Sequence, residues 1–147
     1  MAKDEERLDV AAAIERLNEA LKLQQRSVLQ YAVASASLFG FEAQALGERL
    51  RQYARDELDD LRWLVEKIAA LGGEPTTEVA PMRWTGDAAE ATQRLVDTET
   101  QAIESLKRGI GPTGREGRSE ALEHRLEHMI MRKQSQVDFL LLTQRTA

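Results

Sequence analysis

The sequence predicts an all-α protein, an antiparallel four-helix bundle with one long crossover between its second and third helices. Three observations lead there. Four long segments carry apolar residues at the 3.6-residue helical period, and none alternates in the manner of a strand. The prolines and most glycines gather into two breaks, and Gly40 separates two apolar runs. Those breaks leave connections of very unequal length.

The first helix is expected over residues 6–39, with its stripe drawn by Val10, Ile14, Leu17, Leu21, Val28, Tyr31 and Leu38. The break at Gly40 is so short that the second helix, expected over 42–71, must be its antiparallel neighbour. Its stripe is Leu46, Leu50, Ala54, Leu61, Leu64 and Ile68. The break LGGEPTTEVAPMRWTG follows. About 15 residues at roughly 3.3 Å each can run the length of a helix of about 45 Å, so helices two and three are expected to be parallel. The third helix, over 87–109, offers Leu95, Ala102, Ile103, Leu106 and the adjoining Ile110. After GIGPTGREG the fourth, over 117–143, offers Leu122, Leu126, Met129, Val137 and Leu140.

At 147 residues the chain is expected to form one domain, 1–147, large enough to bury a core without staples. It contains no cysteine, which excludes disulfides, thiolate metal sites and a cysteine nucleophile, and suits a reducing compartment. The start MAKDEERLDV lacks the apolar stretch of a secretory signal, and no run approaches the roughly 20 apolar residues of a membrane span. A soluble, cytoplasmic protein without a membrane partner is the expectation. The net charge of −5, with no basic tail, argues against nucleic acid as a partner.

Polar residues interrupt the stripes where apolar ones belong. At 100° per residue Glu57 and Glu99 fall at the centres of their stripes, and Gln24 and Lys133 within about 20° of theirs. All four are near mid-helix and should meet at one level inside the bundle. Asp60 and Gln136, each three residues on, flank that level. A buried carboxylate costs several kcal/mol unless paired, protonated or bound to metal, so four coincidences of this kind carry information. Bundles that hold two metal ions use this layout, with a Glu from two helices and Glu-x-x-His from the other two.

The stretches LNEALKLQQRSVLQY and ARDELDDLRWLVEKIAALGGEP resemble the first helix pair of bacterioferritins and related ferritin-like proteins. LVDTETQAIESLKRGI fits the third helix of that family, and MRKQSQVDFLLLT fits the fourth more loosely. The resemblance implies a ferritin-like fold, a homo-oligomer (dimer or larger), and metal positions at Gln24, Glu57, Asp60, Glu99, Lys133 and Gln136. Only Glu57 and Glu99 keep the family's residue type. Gln24 stands for a glutamate, Asp60 and Gln136 for histidines, and Lys133 for the bridging glutamate of helix four; no Glu-x-x-His occurs. The family's haem-binding methionine corresponds to Leu58, so no haem is expected.

Lys133 thus faces three carboxylates, and a protonated ammonium cannot be a ligand. At about 4 Å and an effective dielectric near 20, one such pair gains about 4 kcal/mol, comparable to the burial penalty, so the network can hold together without metal. Three outcomes stay open: a structural relic closed by Lys133, a single-metal site of Glu57, Glu99 and Asp60 with Gln24 or Gln136 as weak oxygen ligands, or full oxidation of ferrous iron at two metals. Iron or manganese, weakly bound or absent, is the expected cofactor, because oxygen-rich ligation suits Mn, Mg or Fe better than Zn. The same alternatives frame function. A degenerate, structural or single-metal bundle stands against an iron-storage protein oxidising Fe(II) at a reduced carboxylate site, and enzyme status stays open between them.

Other features read more plainly. Tyr31, about two turns from Gln24, is either a redox relay or ordinary core with a bonded hydroxyl. HRLEH, His124 to His128, formally matches the H-x-x-E-H of a zinc protease class. Both histidines lie opposite the apolar stripe, which predicts a solvated or subunit-facing pair. Trp63, Val65 and Phe139 fall outside the stripes and are expected as exposed contact residues.

Overall fold

The computed structural model describes residues 7–145. Four helices occupy it: α1 (Val10–Ser37), α2 (Phe41–Ala70), α3 (Ala88–Ile110) and α4 (Gly117–Thr143). No strand occurs among the described residues. The expected boundaries hold to within a residue or two except at the start of α1, where residues 7–9 precede the helix and residue 6 lies outside the described residues. Asp9 sets that start, its carboxylate accepting from Ala12 N–H at 3.1 Å. Asp87 caps α3 the same way through Glu90 N–H. Gly40 (φ 98°) turns the chain between α1 and α2, and Gly72 (φ 88°) closes α2 in a conformation that costs a residue with a Cβ more.

Hydrogen bonds reveal the course of the crossover. Asn18 donates to Glu74 O (3.1 Å) and accepts from Thr76 N–H (2.8 Å), while Gln25 donates to Thr76 O (2.8 Å). Further along, Arg26 donates to Pro81 O (3.3 Å) and Trp84 Nε1–H to Ser37 Oγ (2.8 Å). Partners climb from residue 18 to residue 37 of α1 as the crossover runs from 74 to 84. The segment therefore lies along α1 and delivers α3 to the end where α2 begins, which makes α2 and α3 parallel as expected.

Two apolar clusters fill the bundle. One gathers Leu17, Leu21, Leu64, Ile68, Leu106, Leu122, Leu126 and Met129; the other gathers Tyr31, Leu46, Leu50, Tyr53, Leu95, Ile103, Val137 and Leu140. Burying each leucine-sized side chain contributes roughly 1.5–3 kcal/mol. Between the clusters lies a polar layer, where Gln24, Ser27, Glu57, Glu99, Lys133 and Gln136 are all buried.

The expected contact residues need correction. Trp63 and Val65 are half-buried against the first cluster, and Phe139 packs edge-on against Tyr53 in the second. Arginines cover them, Arg125 over Trp63 and Arg49 over Phe139. The apolar surface lies elsewhere, with Phe39, Phe41 and Trp84 around the end where α2 and α3 begin, and Leu29 and Leu58 on the flanks of α1 and α2. No helix among the described residues is long and apolar enough to cross a membrane.

Candidate functional site

The polar layer is assembled by one side chain or more from each helix. α1 supplies Gln24 and, one turn on, Ser27; α2 supplies Glu57 and Asp60; α3 supplies Glu99; α4 supplies Lys133 and Gln136. Glu57, Glu99 and Lys133 are each 0% exposed. The sequence-predicted residues are thus brought together. Their bonding then decides what the site can do.

Lys133 Nζ stands between the two glutamates, 2.6 Å from Glu57 Oε2 and 2.9 Å from Glu99 Oε2. Its third proton goes to Ser27 Oγ at 3.2 Å. An ammonium has three N–H groups, and each has a partner. Ser27 in turn donates its hydroxyl proton to Glu99 Oε1. Gln24 donates through Nε2 to both Glu57 Oε2 and the Glu57 backbone carbonyl, while Gln136 donates to Glu57 Oε1 at 2.9 Å and to Tyr31 Oη at 3.2 Å. Both glutamines present N–H groups to Glu57 in this arrangement.

Two arginines close the network at its edge. Arg132 reaches Glu57 Oε1 (3.3 Å) and Asp60 Oδ2, and Arg125 reaches Asp60 Oδ1 at 3.1 Å. Three carboxylates, Glu57, Glu99 and Asp60, therefore meet three cations, Lys133, Arg132 and Arg125. Periodicity missed Ser27, Arg125 and Arg132. The usable signal was spacing: Ser27 is three residues after Gln24, and Arg125 and Arg132 are seven apart on the flank of α4 facing Asp60.

Burial and charge pull each group in opposite directions. For Lys133, burial works against the ammonium, but Glu57 and Glu99 hold its pKa above the ordinary lysine value. Burial also works against ionised Glu57, yet Lys133, Arg132 and the Gln136 hydrogen bond outweigh it and leave the carboxyl below its usual range. Glu99 has only Lys133 and Ser27 against the same burial and the repulsion of Glu57, so its carboxyl is pushed up. Of the two, Glu99 is the readier to take a proton. Tyr31 is raised well above the usual phenol value by burial and then by Glu99 and Glu57.

Among the described residues no three His, Asp or Glu side chains converge as a group that could hold a metal ion. Leu58 is exposed on α2. His124 and His128 lie exposed on the outer face of α4, away from the polar layer. Tyr31 is wholly buried and stacks edge-on with Tyr53 at 5.5 Å.

A search of curated proteins returned no match. Solved structures do match. A ferritin-like diiron-carboxylate protein of Bacillus anthracis str. Ames is 26% identical, with a TM-score of 0.86 over 93% of this chain and 98% of that one. A bacterioferritin of Desulfovibrio desulfuricans, solved with its diiron site in different catalytic states, is 24% identical (TM-score 0.80, 91% and 78% covered). The Rhodobacter capsulatus bacterioferritin, with a metal-free dinuclear site and haem iron, is 22% identical (TM-score 0.77, 90% and 82% covered). The two bacterioferritins share the fold. The profile of the ferritin-like domain matches residues 14–144. With nearly the whole chain inside that match and the bundle in the same topology, the protein belongs to the ferritin-like domain family.

Proposed function

We propose that this chain is a ferritin-like bundle whose dinuclear centre has been replaced by a permanent ion network, and that it serves as a structural or interaction protein. The observation that carries this reading is Lys133 Nζ, fully buried and bonded to both Glu57 and Glu99. The donor set does not fit two iron ions. The ammonium holds one oxygen of each glutamate, Gln24 and Gln136 turn N–H groups toward Glu57, and Asp60 is committed to two arginines. A cation entering here would have to displace a charge already matched to the carboxylates. Assembly into a dimer or larger homo-oligomer belongs to the same proposal, supported by exposed Leu29 and Val33 on α1 and Leu58 on α2.

Anaerobic incubation with Fe(II), removal of excess, and measurement of iron per chain and oxygen uptake test the proposal. The expected result is no retained iron and a melting temperature indifferent to chelators. A ratio of about two irons per chain with rapid oxygen consumption would instead establish the competing reading, oxidation of Fe(II) at a reduced carboxylate site.

A further inference from the structure

The chain has two histidines, and they stand one helical turn apart on α4, both exposed. Side chains four apart on a helix have Cβ atoms roughly 5–6 Å from each other, close enough for two imidazoles to share an ion at about 2.0–2.1 Å from each nitrogen. The flanking acids are placed in a telling way. Glu120 Oε2 is 3.5 Å from His124 Nε2 and Glu127 Oε2 is 3.9 Å from His124 Nδ1. Each nitrogen of His124 thus has a carboxylate within 4 Å, and that negative charge favours a cation bound at the ring. The arginines flanking the pair on α4, Arg125 and Arg132, are both turned inward to Asp60, so they do not oppose a second positive charge.

We infer that His124 and His128 form a chelating site for one divalent cation of the nitrogen-preferring class, Zn, Ni or Cu, on the outer face of the bundle. Imidazole donors select these ions over Mg, Ca or Mn. The helix holds the two side chains on one face, so the second donor binds intramolecularly, at a high effective concentration. With no third His, Asp or Glu converging among the described residues, water completes the coordination. The site is independent of the interior network, from which it differs in donor type, exposure and metal class.

Titration of the full chain with Zn(II) and with Ni(II), followed calorimetrically, tests the assignment. The expected result is one ion per chain, affinity lowered about tenfold or more in each of His124→Ala and His128→Ala, and no competition from excess Mg(II). Both positions are exposed, so helix content by circular dichroism stays at the parent value in the variants. Absence of saturable binding, or binding that either histidine variant leaves unchanged, overturns the inference. Binding abolished by Glu57→Gln while both histidine variants retain it would overturn it too, and would place the ion in the interior.

Discussion

Replacing Lys133 by methionine, an apolar side chain of similar length, isolates what the ammonium does. In the parent, two ion pairs of 2.6 and 2.9 Å contribute about 6 kcal/mol each at an effective dielectric near 20, against a desolvation cost of several kcal/mol per ion. Without the ammonium, Glu57 keeps Arg132, Gln24 and Gln136, but Glu99 keeps only Ser27. Glu99 can escape by taking a proton. From an unfolded value of about 4.3, neutralising a carboxyl near pH 7.5 costs about 4 kcal/mol, which caps the damage. The cap agrees with the roughly 3–5 kcal/mol typical of removing one partner from a buried pair. A carboxyl whose folded pKa is raised favours folding below its unfolded value and loses that contribution as pH rises, so the deficit should shrink by about 1.4 kcal/mol per pH unit on acidification from neutrality. Urea unfolding of parent and variant at about pH 7.5 and 5.5 reads both quantities. A deficit under about 1 kcal/mol at neutral pH, or one that does not change with pH, would refute the buried-ammonium account.

Lys133→Glu should destabilise the metal-free chain through repulsion among four acids and raise its affinity for Fe(II) or Mn(II), as read by thermal unfolding with and without the ion. In the parent, the raised Lys133 gives stability that is complete below the ordinary lysine pKa and fades as pH rises through its folded value. The lowered Glu57 gives stability present above the ordinary carboxyl pKa and lost as pH falls through its own folded value. Urea midpoints across the pH range should therefore fall at both extremes. Gly73→Ala would bring a Cβ to 2.6 Å from Ile14 Cγ2 and 3.1 Å from Ile68 Cγ2, an overpacking cost of about 1–3 kcal/mol measurable by the same unfolding curves. Asn18→Ala removes two of the three side-chain bonds that hold Glu74 and Thr76 to α1, leaving the one from Gln25, and hydrogen exchange should report faster exchange of the Thr76 amide with about 1–2 kcal/mol less protection.

The helices and the polar layer were legible in the sequence because burial of a helix face imposes a 3.6-residue period, and a glutamate or lysine at its centre has nowhere to go but inward. Glu57, Glu99 and Lys133 met as that period required. Arg125 and Arg132 were not legible for the opposite reason: they start from edge positions and reach the interior carboxylates with long stems, so their angle on the wheel says little about where the charge ends. The same uncertainty of reach concealed the shielding of Trp63 and Phe139, whose outer faces are covered by Arg125 and Arg49. The long crossover was readable as length alone; its path along α1 depends on individual bonds from Asn18, Gln25, Arg26 and Ser37 that no period encodes.

Stability alone does not account for a layer of this kind. Replacing a buried ion pair by well-packed apolar groups is commonly neutral or stabilising, so against a leucine layer the net contribution of Glu57, Glu99 and Lys133 is small. Geometry is another matter. From α4, the three protons of Lys133 reach α1 at Ser27, α2 at Glu57 and α3 at Glu99, so one side chain ties the other three helices at a single level. Apolar clusters above and below would tolerate a helix sliding by a turn with modest repacking, whereas the same slide would strand a lysine and two glutamates in hydrocarbon. A cation tethered covalently to α4 cannot dissociate, so the register that Lys133 sets across the four helices does not depend on what the solution supplies.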